Sequence, residues 1–225
     1  MANTPELTRL HARKSTRVYH LGEVAGATEV WFVLHGFGQL AGQFIEDFAP
    51  AVRPGRVVIA PEGLNHFYTD HAGKKVGATW MTSEDREAEI RDYVDYLDEV
   101  GERFLSGLDA PRVEVHGFSQ GSATAARWLS LGRTGAARLV IWGGELPPDP
   151  PVETIVDRLN AADLNVVMGD RDRYYSRDRV EQGLERLDAA NVRYTMHWFA
   201  GGHVVDREVL SRLAGGDGRP TTGDA

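Results

Sequence analysis

The pentapeptide Gly117-Phe118-Ser119-Gln120-Gly121 joins a short apolar run, Arg112 to His116, to a helix-forming run, Gly121 to Leu131. This order predicts a strand, a sharp turn and a helix, which is the arrangement of a nucleophile elbow. Glycines two residues before and two residues after the serine leave room for a strained turn that lifts Ser119 clear of the sheet. A serine in that position can act as an acyl-transfer nucleophile.

The length and composition of the chain fit a globular protein with a full core, because 42% of its 225 residues are hydrophobic. We expect a single domain over residues 1–214. Residues 215–225 are rich in Gly, Thr and Asp without an apolar anchor, and they are predicted to form a disordered tail. The chain contains no cysteine, which excludes disulfides, thiolate metal ligands and a cysteine nucleophile.

The charge pattern argues against several classes of partner. A net charge of −8 opposes nonspecific attraction to nucleic acid and to anionic membranes. We find no signal peptide and no apolar run long enough to cross a bilayer, so we expect a cytoplasmic protein without stable membrane insertion. We expect it to act on a small molecule as a monomer or homodimer.

Strand-length apolar runs alternate with helix-like segments along the chain. This alternation predicts an α/β fold with a mostly parallel central sheet, helices on both faces and no large lid domain. The predicted strands are 30–34, 56–60, 112–116, 139–142, 165–168 and 194–198, with an antiparallel edge strand at 17–21. The predicted helices are 42–52, 90–108, 122–131, 152–161, 176–190 and 206–214.

Residues 62–81 form the longest stretch without a clear period, and we expect them to lie over the carboxyl edge of the sheet. Aromatic and sulfur side chains in this stretch, and one in a later turn, are candidates for a substrate pocket. They are Phe67, Tyr68, Trp80, Met81 and Tyr174.

Acyl transfer by a serine requires a histidine to take the hydroxyl proton and a carboxylate to orient that histidine. Both follow later predicted strands, in the turns Gly169-Asp170-Arg171-Asp172 and Ala200-Gly201-Gly202-His203. We therefore predict a catalytic triad of Ser119, Asp172 and His203. Asp170, in the same turn as Asp172, remains an alternative acid.

The oxyanion of a tetrahedral intermediate needs backbone N–H donors. One predicted donor is Gln120, which follows the nucleophile. The second is Phe37, because the loop His35-Gly36-Phe37-Gly38-Gln39 follows the first core strand and its glycines allow the backbone to turn inward.

The motifs HGFGQ, GFSQG, GDRD and FAGGH occur in this order over residues 30–213. Together they resemble the carboxylesterase and acyl-protein thioesterase family of α/β-hydrolases. The resemblance implies a cofactor-free, metal-free serine hydrolase of carboxylic esters, lysophospholipids or acyl thioesters. It also implies that Asp172 is the acid and that His35 supports the oxyanion loop. The chain departs from the family after the acid, where Arg173-Tyr174-Tyr175-Ser176 stands in place of Pro-x-Val-Pro.

Other interpretations compete with this hypothesis, and one of them keeps the triad but uses it for cofactor-free perhydrolysis or amide cleavage. The chain could be a noncatalytic ligand-binding protein that keeps the hydrolase fold, because a fold does not fix a function. The glycines after the first core strand also echo a dinucleotide site, but the third glycine falls one residue late for G-x-G-x-x-G. His66 and His71 lie five residues apart, which does not match the usual spacing of a metal site.

Overall fold

The computed structural model describes residues 5–215, and its main feature is a seven-stranded sheet. In chain order the strands are β1 (Val18–Leu21), β2 (Glu29–Leu34), β3 (Arg56–Pro61), β4 (Asn65–Asp70), β5 (Lys75–Thr79), β6 (Arg112–Phe118), β7 (Arg138–Trp142), β8 (Asp163–Gly169) and β9 (Thr195–Phe199). The α-helices are α1 (Ala41–Phe44), α2 (Arg86–Leu105), α3 (Gln120–Leu131), α4 (Val156–Ala161), α5 (Arg177–Ala189) and α6 (Arg207–Gly215). A 3₁₀ helix, Ile45–Ala51, continues α1, and another, Val152–Thr154, precedes α4.

The strand order is β1-β3-β2-β6-β7-β8-β9, and every neighbouring pair is parallel except β1 with β3. The predicted sheet and its antiparallel edge strand are therefore confirmed. The apolar runs are continuous because both faces of the sheet are covered. Along β2, Phe32 packs on the side of α2 and α3, whereas Val33 packs on the side of α1 and α6.

The structure contains one regular region that was not predicted. Within residues 62–81, β4 and β5 form a separate two-stranded antiparallel hairpin. The hairpin could not be predicted from the residue pattern. Most residues of β4 are exposed on both faces of the strand, so apolar and polar residues do not alternate along it. The hairpin packs on the loop after β2. Gly38 N–H donates to Ala78 O, and Ala78 N–H donates to Gln39 O.

The amino end of the sheet carries a buried charge cluster, which we define as Arg56, Glu114, His116 and Arg138. All four side chains are less than a tenth exposed. The two arginines donate hydrogen bonds to the last carbonyls of α6, at 2.9 Å from Arg56 to Ala214 and 3.2 Å from Arg138 to Leu213. Cations stabilise the carboxyl end of a helix, so this cluster fixes α6 against the sheet.

The predicted tail falls almost wholly outside the described residues, apart from Gly215, which is the last residue of α6. Among the helices of residues 5–215, none is both long enough and apolar enough to cross a membrane.

Candidate active site

Ser119 lies in a strained turn between β6 and α3. Its backbone has φ +54° and ψ −116°, a conformation that side-chain-bearing residues rarely adopt. The flanking glycines make the turn possible. A Cβ at Gly117 would come within 2.3 Å of the carbonyl oxygen of Gly121, and a Cβ at Gly121 within 2.1 Å of the carbonyl oxygen of Leu34. No other residue type fits at either position, so the turn has the geometry that the sequence predicts.

Asp172 and His203 meet across two neighbouring turns, because β8 and β9 are parallel and end at the same edge of the sheet. The Nδ1 atom of His203 lies 2.6 Å from Oδ2 of Asp172. The other oxygen of Asp172 accepts the N–H groups of Tyr174 at 2.8 Å and Tyr175 at 3.3 Å. These bonds hold the buried carboxylate in one orientation.

Asp170, the alternative acid, does not contact His203. Its Oδ1 accepts the N–H of Gly201 at 3.0 Å, and about half of its side chain is exposed. Asp170 therefore stabilises the turn that carries the histidine, and Asp172 is the carboxylate that reaches the imidazole.

His203 and Ser119 line the same open cleft, which has a volume of about 520 Å³. Aromatic rings surround the imidazole, with ring centres at 4.7 Å for Phe118, 4.7 Å for Tyr174 and 6.2 Å for Tyr175. These rings limit the positions that the imidazole can take next to Asp172. The lining consists of Gly36, Phe37, Gln39, Phe118, Ser119, Arg173, Tyr174, Tyr175, Arg179 and His203.

Two backbone N–H groups beside Ser119 have no acceptor within residues 5–215, those of Phe37 and Gln120. Their neighbours in the loop after β2 are engaged, since Gly36 N–H donates to Oε1 of Gln39 at 2.7 Å. The side chain of Gln120 is engaged too, because its Nε2 donates to the carbonyl of Met81 at 2.9 Å. The loop and the elbow are thus held in place while the two N–H groups predicted for the oxyanion stay available.

His35 supports this loop from behind and is completely buried. Its Nδ1 lies 2.8 Å from the carbonyl oxygen of Gly36, and its Nε2 accepts the N–H of Gly63 at 2.9 Å. The proton therefore lies on Nδ1. Burial lowers the pKa of His35 to about 4, so the ring is neutral near pH 7 and cannot exchange a proton with the cleft.

The predicted pocket residues separate into different places. Tyr174 lines the cleft, and Phe67 packs on Phe37 at its edge, with ring centres 4.9 Å apart. Tyr68 lies mostly exposed on the hairpin, away from the lining. Trp80 is completely buried, and its Nε1 donates to the carbonyl of His35 at 2.8 Å, so it supports the oxyanion loop and does not face the cleft.

Met81 is also absent from the cleft lining, because its sulfur lies 3.8 Å from the guanidinium of Arg127 and its side chain packs on the core beside α2 and α3. The lining also contains residues that were not predicted from the sequence, among them Gln39, Tyr175, Arg173 and Arg179. The departure from the family pattern at residues 173–176 was a usable signal for two of these, Arg173 and Tyr175.

The histidines considered for a metal site do not come together. His66 lies against Glu62, with Nε2 at 2.8 Å from its Oε1, and His71 packs on Tyr68. In residues 5–215 no group of three or more His, Cys, Asp or Glu side chains could hold a metal ion.

Comparison with known proteins identifies relatives of this chain. The family model for "Serine hydrolase (FSH1)" matches residues 32–209, a range that contains Ser119, Asp172 and His203. A search of curated proteins gave no significant match.

Several solved structures share the fold. Zea mays acyl-protein thioesterase 2 is 16% identical, with 89% of this chain and 97% of that chain covered and a TM-score of 0.68. A Bacillus cereus carboxylesterase is 17% identical, with 89% and 92% covered and a TM-score of 0.66. Esterase PE8 is 20% identical, with 90% and 97% covered and a TM-score of 0.60. These similarities confirm the predicted α/β-hydrolase fold and the predicted resemblance.

Proposed function

The chain belongs to the Serine hydrolase (FSH1) family, and from this membership we propose that it cleaves carboxylic esters through Ser119, His203 and Asp172. The observation that carries the proposal is the 2.6 Å contact between His203 and Asp172 in a cleft that also contains Ser119. A structural ion pair would not need an adjoining serine in a strained elbow turn.

The proton transfers follow from which atoms of His203 are free. Nδ1 is held by Asp172, so Nε2 is the nitrogen that takes the proton of the Ser119 hydroxyl as its oxygen attacks the acyl carbonyl. The tetrahedral intermediate then collapses, the bond to the leaving group breaks, and His203 gives the proton to the leaving oxygen. A water molecule, deprotonated by His203, attacks the acyl-enzyme and releases the acid and Ser119.

The N–H groups of Phe37 and Gln120 are the proposed oxyanion donors. Both lack an acceptor within the described chain, and the hydrogen bonds around them fix their direction before substrate arrives. Donors held in this way cost no reorganisation when the negative charge develops, and one such donor is worth about a hundredfold in rate.

The acyl group is proposed to be short or medium in length. An apolar cavity lies behind Tyr175, which borders both it and the catalytic cleft, and it has a volume of only about 30 Å³. Because one water-sized group needs roughly 10–15 Å³ measured in this way, this cavity has no room for a long acyl chain. Acyl thioesters and lysophospholipids are the further substrate classes that share this chemistry.

The test is hydrolysis of p-nitrophenyl esters from acetate to palmitate by the wild type, Ser119→Ala and a control, Ser83→Ala, whose side chain lies exposed away from the cleft. Intact mass is measured after treatment with a fluorophosphonate. We expect turnover and labelling in the wild type and the control, both lost in Ser119→Ala, with the highest kcat/KM on short esters. Wild-type turnover by Ser119→Ala would exclude the mechanism.

The predictions on domain organisation, cellular location and oligomeric state also belong to this proposal. Residues 1–214 are proposed to act as one domain, supported by the single main sheet that runs from β1 to β9. The cytoplasmic location and the monomeric or homodimeric state stay predictions.

A further inference from the structure

Two arginines, Arg173 and Arg179, line the cleft that contains Ser119 and His203. Among the described residues 5–215, no aspartate or glutamate is part of this lining. The chain as a whole has a net charge of −8, so a cleft that presents two guanidinium groups opposes the charge of the rest of the molecule. This local excess of positive charge is a property of the site rather than of the composition.

Both arginines lie next to the rings that surround His203. The guanidinium carbon of Arg173 lies 4.7 Å from the ring centre of Tyr174, and that of Arg179 lies 4.7 Å from the ring centre of Tyr175. Each tyrosine in turn packs on the imidazole of His203. Each cation therefore contacts a ring that itself packs on the imidazole of the proposed base.

The two guanidinium groups differ in what they bind. Arg179 donates to Glu145 at 2.6 Å, and both of these side chains are partly exposed. Arg173 makes no ion pair or side-chain hydrogen bond with any residue in the described range 5–215, and its guanidinium lies over the face of Tyr174. Its planar set of N–H donors is suited to a carboxylate or phosphate, which it can bind through two parallel hydrogen bonds.

The position of these cations relative to His203 indicates which part of a substrate they meet. His203 donates its proton to the leaving oxygen in the proposed mechanism, so the leaving group lies on the side of the imidazole. We infer that the preferred substrate is an ester whose leaving group carries an anionic group, a carboxylate or a phosphate, and that Arg173 binds this anion with Arg179 beside it. This inference rests on the proposed function.

Arg171, in the same turn as Arg173, is a surface arginine with which Arg173 can be compared. Its side chain is 73% exposed, it lies 3.5 Å from Asp170, and it does not line the cleft. Arg171→Gln therefore removes one positive charge from the same turn without removing a cleft residue, which makes it a matched control for Arg173→Gln.

The experiment compares kcat/KM for three acetyl esters of equal acyl group: 3-acetoxybenzoate, 3-acetoxyphenyl phosphate and the neutral 3-acetoxybenzamide. We expect the wild type to prefer at least one anionic ester by about tenfold, the effect of one well-placed charged hydrogen bond. The preference should fall in 1 M NaCl, because salt screens exposed charges. Comparison of the two anions tells a carboxylate site from a phosphate site.

The variants assign the preference to a residue. Arg173→Gln should reduce the ratio of anionic to neutral kcat/KM to about one to three, mainly through KM. Arg173→Lys should keep part of it, and Arg171→Gln should keep the wild-type ratio. The inference is overturned if the wild type shows a ratio of anionic to neutral kcat/KM as low as that expected for Arg173→Gln. It is also overturned if Arg173→Gln keeps the wild-type ratio.

The last comparison places the negative charge on the acyl group. The kcat/KM for monophenyl adipate is compared with that for phenyl hexanoate. A preference for the charged acyl group together with none for the charged leaving group overturns the assignment to the leaving-group side. Hydrolysis of 3-acetoxybenzamide that depends on Ser119, without any preference for anions, removes the inference and leaves the proposed function standing. If the wild type hydrolyses none of these esters, both fail.

Discussion

The two ends of the sheet each place a histidine beside a carboxylate, yet only the carboxyl end opens to a cleft. At that end His203 lies 2.6 Å from Asp172, with Ser119 in the same cleft. At the amino end His116 lies 3.6 Å from Glu114, and both side chains are inaccessible. One strand, β6, leads through both regions, since it carries Glu114 and His116 and ends one residue before Ser119.

The surroundings of the buried pair explain why it is not a second active site. His116 stacks on Trp31 with ring centres 4.4 Å apart, and its Nδ1 accepts the Nε1–H of Trp142 at 3.3 Å. Burial lowers the pKa of His116, so the ring is mainly neutral near pH 7. A short distance between a histidine and a carboxylate therefore does not identify chemistry. An active site is identified when the pair is also accessible from a cleft and lies near a nucleophile.

The largest expected effect separates the two histidines by function. His203→Gln should lower kcat for ester hydrolysis by about 10⁴-fold or more, because His203 is the only imidazole among the described residues that line the cleft. Its free energy of unfolding should stay close to the wild-type value, whereas His116→Gln should lower stability and leave kcat per folded molecule unchanged. Steady-state kinetics and urea denaturation measure both. Equal losses of kcat in the two variants would contradict the comparison.

The second-largest effect distinguishes Asp172 from Asp170, the two aspartates of one turn, as the acid of the triad. Asp172→Asn should lower kcat by about 10⁴-fold, because an amide does not hold the imidazole in the required tautomer or stabilise the imidazolium. Asp170→Asn keeps an oxygen that accepts the N–H of Gly201 and should change kcat less than threefold. The same p-nitrophenyl ester assay applies to both variants. A larger loss in Asp170→Asn would assign the acid to the other carboxylate.

The carboxyl end was largely predictable from sequence, and the reason is positional. Each of its motifs follows an apolar run of strand length, and parallel strands bring such turns to one edge. Ser119, Asp172 and His203 could therefore be placed together without a structure. Trp80 could not be placed in this way, because whether an aromatic side chain faces a core or a cleft depends on packing outside its own segment.

The amino end was less predictable for a related reason. Nothing in the periodicity showed that the charged residues Arg56, Glu114 and Arg138 would be buried together around His116. Charged residues at the start of an apolar run usually mark a solvated strand end. Here α6 returns over that end and its last carbonyls accept the two arginines, an arrangement set by residues far away in the chain.

The third prediction tests whether the buried pair stabilises the fold. Burial raises the pKa of Glu114, but His116 and the guanidinium groups of Arg138 and Arg112 outweigh it and lower the pKa to about 2. Glu114→Gln removes this charge and leaves Arg138 partly uncompensated, which should cost about 3 kcal/mol. Urea denaturation followed by tryptophan fluorescence measures the change.

Arg112→Gln is the matched control, because it removes the partner of Glu114 whose side chain is 45% exposed. Exposed ion pairs contribute about 0–1 kcal/mol, so this variant should be clearly more stable than Glu114→Gln. Catalysis per folded molecule should be the same in both. If Glu114→Gln unfolds at the wild-type urea concentration, the cluster does not hold α6 to the sheet as the contacts indicate.

The smallest effect concerns His35, which lies at the carboxyl end by position but is as buried as His116 at the amino end. Its pKa falls from 6.5 in an unfolded chain to about 4 in the fold. As the pH falls below 6.5 the unfolded chain takes up a proton that the folded chain does not, so stability is full above that value and declines toward pH 4. Between pH 7 and pH 5 this histidine should cost about 2 kcal/mol of unfolding free energy.

His35→Gln should flatten the pH dependence of stability over this range, while His71→Gln, which removes an exposed histidine on the hairpin, serves as the control. Urea denaturation between pH 5 and 7 measures the slope and stays above the range in which Glu62 titrates. The ring-proton shifts of His35 in NMR give its pKa directly. A midpoint near 6.5 would mean that His35 exchanges protons with solvent, and the oxyanion loop would then be open to water on the side that Trp80 covers.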